Sequence, residues 1–127
     1  MSDTICVLYV EDEPDIREVA EFALEDEGFE LIQCASGLEA LEKGEGLTAD
    51  LILLDVMMPG MDGPSTLTRL RELPNLCNTP AIFMTAKVQP NEVAEYKAMG
   101  ALGVIAKPFD AMTLADVIRG HLETTVV

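Results

Sequence analysis

Five short apolar runs recur along the chain: Ile5–Val10, residues 30–35, Leu51–Asp55, residues 81–86 and residues 103–107. The segments between them change period. Ile16, Val19, Ala20 and Ala23 share one face of a helix that Gly28 closes as a left-handed cap. Leu38, Ala40 and Leu41 begin a second helix, which Lys43 and Gly44 stop. Pro64 suits the first turn of a third helix over residues 66–73. Val93, Tyr96 and Lys97 belong to a fourth, and Leu114, Val117, Ile118 and Leu122 line a fifth. Strand alternating with helix predicts an α/β fold with a parallel sheet. Leu51, Ile52, Leu53 and Leu54 form a run apolar at every position. A strand reads that way when helices cover both of its faces.

A length of 127 residues suits one domain. Hydrophobic residues make up 49% of it, enough for a core that needs no staples. The three cysteines show no C-x-x-C spacing, so neither a disulfide framework nor a zinc site is indicated. Cys6 and Cys34 lie in apolar runs and are expected to be buried thiols, which fits a reducing compartment. Net charge is -15, which speaks against a nucleic-acid surface and against docking on anionic membranes. The N-terminus lacks the basic start of a signal peptide, and no apolar run approaches membrane-spanning length. A cytoplasmic location is the expectation.

In open parallel sheets, sites form beyond the carboxyl ends of the strands. The first run is followed by Glu11, Asp12 and Glu13, the third ends in Asp55, the fourth in Thr85 and Ala86, and the fifth in Lys107 and Pro108. Three of these carboxylates, Glu11, Asp12 and Asp55, would therefore meet at one edge. Like charges about 5 Å apart repel by roughly 3 kcal/mol per pair at an effective dielectric near 20. Such a cluster needs a counter-charge. Lys107 is one source, and a hard divalent cation is the other. Mg²⁺ suits one or two carboxylates with waters and a phosphate. A cation, a hydroxyl (Thr85) and an ammonium (Lys107) together make a receptacle for a phosphoryl group. Asp55 could serve as a metal ligand only, or attack phosphorus to form an acyl phosphate.

These residues resemble the receiver domain of bacterial two-component response regulators. The matching features are Glu11–Asp12; Asp55 within D-V-M-M-P-G-M-D-G, which fits D-x-x-M-P-x-x-D-G; Thr85–Ala86; and Lys107–Pro108–Phe109. The resemblance implies a flavodoxin-like (βα)5 fold with strand order 2-1-3-4-5. It implies a single receiver domain over residues 1–127, with no output domain. It makes Asp55 the acceptor of a phosphoryl group from a phosphohistidine on a histidine kinase or histidine phosphotransfer protein. Asp12, Asp55 and the backbone carbonyl of Met57 would hold Mg²⁺, or Mn²⁺, and Glu11 would act through a metal-bound water. Thr85, Lys107 and the amides of Met57 and Ala86 would cradle the phosphoryl oxygens. The Lys107–Pro108 bond would be cis. A downstream protein would read the face of the fourth helix, fifth strand and fifth helix.

The resemblance thins at two places. Val104 stands where the family usually carries an aromatic switch residue, so output is expected to rely on shifts near Thr85 and the fourth helix, or on another side chain. Met57 and Lys87 occupy the positions that tune phosphoryl lifetime, and neither orients water, so the lifetime is expected not to be short. A phosphatase using an aspartyl phosphate commonly needs a second Asp where Met57 stands. A flavin-phosphate module would need a Gly/Ser/Thr-rich loop in place of Glu11–Asp12–Glu13–Pro14. A degenerate receiver used only for docking would not need the intact acidic set. Taken singly, each residue has a plainer reading: Asp55 a strand terminus, Lys107 a surface lysine, Thr85 a strand residue, Asp62 a turn residue. The methionines at 57, 58 and 61 read as turn and core filler, and His121 as a satisfied or exposed residue near a helix C-terminus, where positive charge is welcome.

Overall fold

The computed structural model describes residues 4–86 and 88–123. Five strands, β1 (Ile5–Val10), β2 (Phe29–Cys34), β3 (Leu51–Asp55), β4 (Ala81–Thr85) and β5 (Gly103–Ala106), form one sheet in the order β2-β1-β3-β4-β5. Every pairing is parallel. The helices are α1 (Pro14–Glu25), α2 (Gly37–Gly44), α3 (Gly63–Leu70), α4 (Pro90–Ala98) and α5 (Leu114–Glu123). This is the flavodoxin-like arrangement: the alternating periods account for the parallel α/β class, and the strand order is the one the resemblance implied.

The strands sort their side chains with period two. Val7, Tyr9, Leu51, Leu53, Ile82, Met84 and Ile105 face one side, where Ala20 and Leu24 of α1 and Leu114, Ala115 and Ile118 of α5 cover them. Leu8, Val10, Ile52, Leu54 and Phe83 face the other, against Ala40 of α2 and Leu67 and Leu70 of α3. Tyr96 of α4 packs at the edge of that second cluster, its ring 4.9 Å from that of Phe83. All five β3 residues are buried, as the uninterrupted apolar run requires.

Several element ends differ from the sequence expectation. β2 begins and ends one residue earlier, and β4 and β5 stop before Ala86 and Lys107, so those two residues belong to loops. α1 ends at Glu25, and Gly28 sits beyond it in the turn, with φ +90°. α3 starts at Gly63 because Asp62 is its N-cap: the carboxylate accepts from the Ser65 amide at 2.8 Å. Ser36 caps α2 by accepting from the Glu39 amide at 3.1 Å, and Glu39 reaches back to the Ala35 amide. That is a capping box displaced by one residue, and the S-G-L-E spacing announced it. Val19, Val117 and Leu38 are exposed, not core-facing, and Cys6 is half-buried where a buried thiol was expected. Cys34 is buried, and burial pushes its thiol up to about 12. Among the described residues no helix is long and apolar enough to cross a membrane.

Candidate functional site

The parallel sheet delivers four strand ends to one edge. Glu11 follows β1 directly, Asp55 closes β3, Thr85 closes β4, and Lys107 follows β5. Glu11, Asp12 and Asp55 each bring a carboxylate oxygen to within 4.8 Å of the others. Lys107 joins them: its Nζ lies 2.9 Å from Glu11 Oε1 and 3.1 Å from Asp55 Oδ1. Glu11 is fully buried and Asp55 nearly so, at 3% exposure. Asp12 is half-buried and Met57 is 73% exposed, so the site opens to solvent on that side.

Burial governs the electrostatics. Desolvation raises the carboxyl of Glu11 above its usual range, against the hydrogen bond from Lys107, and the charge of Asp55 adds to the rise. Desolvation likewise raises Asp55, again opposed by Lys107, with Asp12 adding to it. Burial alone would lower Lys107, but its bonds to Glu11 and Asp55 outweigh burial and raise it. One ammonium thus serves two buried carboxylates while Asp12 stands beside them. The cluster is short of positive charge, and its donors are all oxygen. It could hold a metal, and the donor set suits a hard cation with Mg²⁺ chemistry.

Backbone geometry locks the edge. The amide of Lys107 donates to the carbonyl of Thr85 at 2.9 Å, and that of Val56 to Met84 at 2.9 Å. The Lys107–Pro108 peptide is cis. The amide of Met57 hydrogen-bonds the Asp55 carboxylate, and Glu13 donates its amide to Glu11 Oε2 at 3.2 Å. Arg17, which no sequence motif singled out, donates to the Glu11 carbonyl at 2.7 Å and ties α1 to the acidic loop. It is the one cation in α1, and that was the available signal. Gly63 answers to a close approach of backbone. A Cβ there would fall 2.3 Å from the Asp55 carbonyl oxygen, so only glycine lets α3 start against the backbone of the site. Gly60 instead supplies a positive φ of 79° in the turn.

Thr85 is buried at the end of β4, and Ala86 is exposed beside it. Val104 is half-buried, pairs in register with Phe83, and packs against the cluster on the α2–α4 side. Lys87 lies outside the described residues. Of the two readings the sequence left for His121, satisfied or exposed, the structure places it half-buried. Its ring packs over Gly103, and burial, then the charge of Lys97, lower its basicity.

Five parallel strands in this order, with carboxylates and a lysine gathered at the carboxyl edge, define a receiver-type α/β domain. The chain belongs to the response regulator receiver domain family, which it matches over residues 7–119. It is 38% identical over 122 residues to the transcriptional regulatory protein CseB of Streptomyces coelicolor, covering 96% of this chain but 51% of that protein. The chain thus spans about half the length of that relative. It is 36% identical to sporulation initiation phosphotransferase F of Bacillus subtilis, covering 91% of this chain and 92% of that one. The chemotaxis response regulator CheY4 of Vibrio cholerae superposes with a TM-score of 0.86 at 34% identity, over 93% of this chain and 98% of that one.

Proposed function

We propose that the domain is a phosphorelay receiver in which Asp55 accepts a phosphoryl group from a phosphohistidine donor in a Mg²⁺-dependent reaction. The observation that carries this reading is the convergence of Glu11, Asp12 and Asp55 within 4.8 Å, with Lys107 bonded to two of them. An Asp55 carboxylate oxygen forms the bond to phosphorus as the donor's P–N bond breaks. The electron pair returns to the imidazole, which leaves neutral when its other nitrogen carries a proton. Asp12, Asp55 and the Met57 carbonyl would hold the Mg²⁺, with Glu11 acting through water. The cation supplies charge neutralisation at the phosphoryl oxygens. Lys107, Thr85 and the amides of Met57 and Ala86 would hold the remaining oxygens.

Lys107 has a second task in this reading. Its ammonium now sits on the buried carboxylates and becomes available to the phosphoryl group without a long movement. The switch itself falls to the segment 85–89 and α4. α4 carries no buried residue, so it is the helix held most weakly, and Val104 is too small to report by rotating inward. Signalling proceeds by protein contact in this reading, and the domain, taken alone, signals rather than turning over a substrate. Met57 brings no group that orients water, which supports a phosphoryl lifetime longer than seconds.

The test is incorporation of label from a small phosphodonor such as acetyl phosphate. Label is expected on the wild type with Mg²⁺, and not with chelator or on Asp55→Asn. Label that persists on Asp55→Asn moves the acceptor elsewhere. Absence of label on the wild type, with Mg²⁺ present and the fold intact, favours a receiver used only for docking.

A further inference from the structure

Tyr9 of β1 lies beneath the carboxylate cluster with its hydroxyl unused. The side chain is fully buried, and among the described residues its hydroxyl is the one buried side-chain polar atom without a hydrogen-bond partner. A hydroxyl left this way destabilises the resting fold, and a phenylalanine would fill the same space without that cost. Its position shows what it can serve. Glu11 continues the ladder of β1, its amide donating to the Cys34 carbonyl at 3.0 Å, so Tyr9 and Glu11, two residues apart, project from the same face of the sheet. Tyr9 pairs in register with Leu53, and Asp55 stands two residues beyond Leu53 on that same face. The phenol therefore occupies the layer next to the two buried carboxylates. Burial, then the charges of Glu11 and Asp55, raise its pKa while Arg17 opposes them, which places the hydroxyl end near that pair. Same-face neighbours are about 6.6 Å apart along a strand, a gap that a tyrosine and a glutamate leaning toward each other can close.

Glu11 is the group with a need. At rest its Oε1 accepts from Lys107 Nζ at 2.9 Å and its Oε2 from the Glu13 amide at 3.2 Å. In the proposed function Lys107 turns to the phosphoryl oxygens, and Oε1 of a fully buried carboxylate loses its donor. Arg17 is already engaged with the Glu11 backbone carbonyl at 2.7 Å. Each carboxylate oxygen accepts more than one hydrogen bond, so a metal-bound water at Glu11 leaves room for a further donor.

We propose that Tyr9 is a positioning residue of the phosphoryl site, whose hydroxyl donates to the Glu11 carboxylate when Lys107 leaves it for the phosphoryl group. The inference rests on the phosphoryl reading of Asp55. At rest the ammonium satisfies Glu11 and the hydroxyl stands idle. During transfer the hydroxyl takes over, so Lys107 moves without stranding a buried charge.

Melting curves of four proteins, the wild type, Tyr9→Phe, Lys107→Met and the double variant, read the exchange without phosphate or metal. Tyr9→Phe should raise the melting temperature of the wild type and lower that of Lys107→Met, in which the hydroxyl has taken over Glu11. Labelling from acetyl phosphate with Mg²⁺ reads it in the reaction: Tyr9→Phe should take label at a rate about fivefold below the wild type. Tyr9 and Tyr96 are the two tyrosines and tryptophan is absent. Tyr96→Phe, which keeps a ring against Phe83, therefore leaves Tyr9 as the single reporter. Its near-ultraviolet absorption should move to longer wavelength and its emission should fall as label enters. An additive cycle, equal labelling rates, or a Tyr9 spectrum unmoved by phosphorylation would overturn the inference and leave Asp55 standing as the acceptor. If Lys107→Met does not fold, the labelling rates and the spectrum decide. Absence of label on the wild type would overturn the phosphoryl reading and this inference together.

Discussion

At the scale of single residues, the site is a balance of buried charges. Lys107 answers both Glu11 and Asp55 at hydrogen-bond distance. Lys107→Met should lower stability by about 3 kcal/mol, because it leaves two buried carboxylates without their cation. Asp55→Asn should recover part of that loss in the double variant, which denaturant melts of the four proteins in the cycle would measure. Tyr9 presents the opposite case. Its hydroxyl is buried with no hydrogen-bond partner, and burial raises its pKa well above the ordinary tyrosine value. Tyr9→Phe removes an unmet polar group at almost unchanged volume. It should raise stability by about 1 kcal/mol, and a loss of that size would show that the hydroxyl is satisfied in solution.

Capping and close approach decide matters at the scale of elements. Ser36→Ala removes the cap of α2 and should cost about 1 kcal/mol, read from the urea midpoint. The Gly103–His121 contact couples β5 to α5. A Cβ at position 103 would lie 2.4 Å from the imidazole, so Gly103→Ala should force α5 outward and lower the melting temperature. The same contact fixes the sign of a pH effect. His121 has a folded value below 6.5, so the unfolded chain binds the proton more readily. Stability from this group is whole above 6.5 and is lost as pH falls through the depressed folded value. His121→Gln should therefore lose less stability than the wild type between about pH 7 and pH 5. A parallel decline of the two melting curves would show that the imidazole contributes nothing.

For the whole molecule, net charge and topology set the behaviour. A charge of -15 on a chain this size repels itself, and salt screens that repulsion. In the proposed function Mg²⁺ would add a local effect at the carboxylate trio. In the proposed function, a few millimolar MgCl₂ should raise the melting temperature more than NaCl of equal ionic strength, and Asp12→Asn should abolish the difference. Equal effects of the two salts would leave only screening. The two faces of the sheet also differ in what they hold. α1 and α5 place five buried side chains against theirs, whereas α4 places none. Of the five helices, α4, beside Thr85, is therefore the one with the least burial to hold it.

The sequence by itself determined the strand–helix alternation, the parallel sheet and the carboxylate–lysine set at the strand ends. Period and run length are local properties, and in a parallel sheet all strand ends of one kind share an edge. Tertiary structure alone decided the rest. Val19 looks like a core residue of α1 until the packed structure leaves it exposed. His121 reads as either satisfied or exposed, and β5 passing beneath it at Gly103 decides that it is half-buried. Glu11 is placed beside Lys107 by its strand end, but only the packed neighbours show that it is completely buried there. Burial and charge pairing depend on residues far apart in the chain, and no local pattern encodes them.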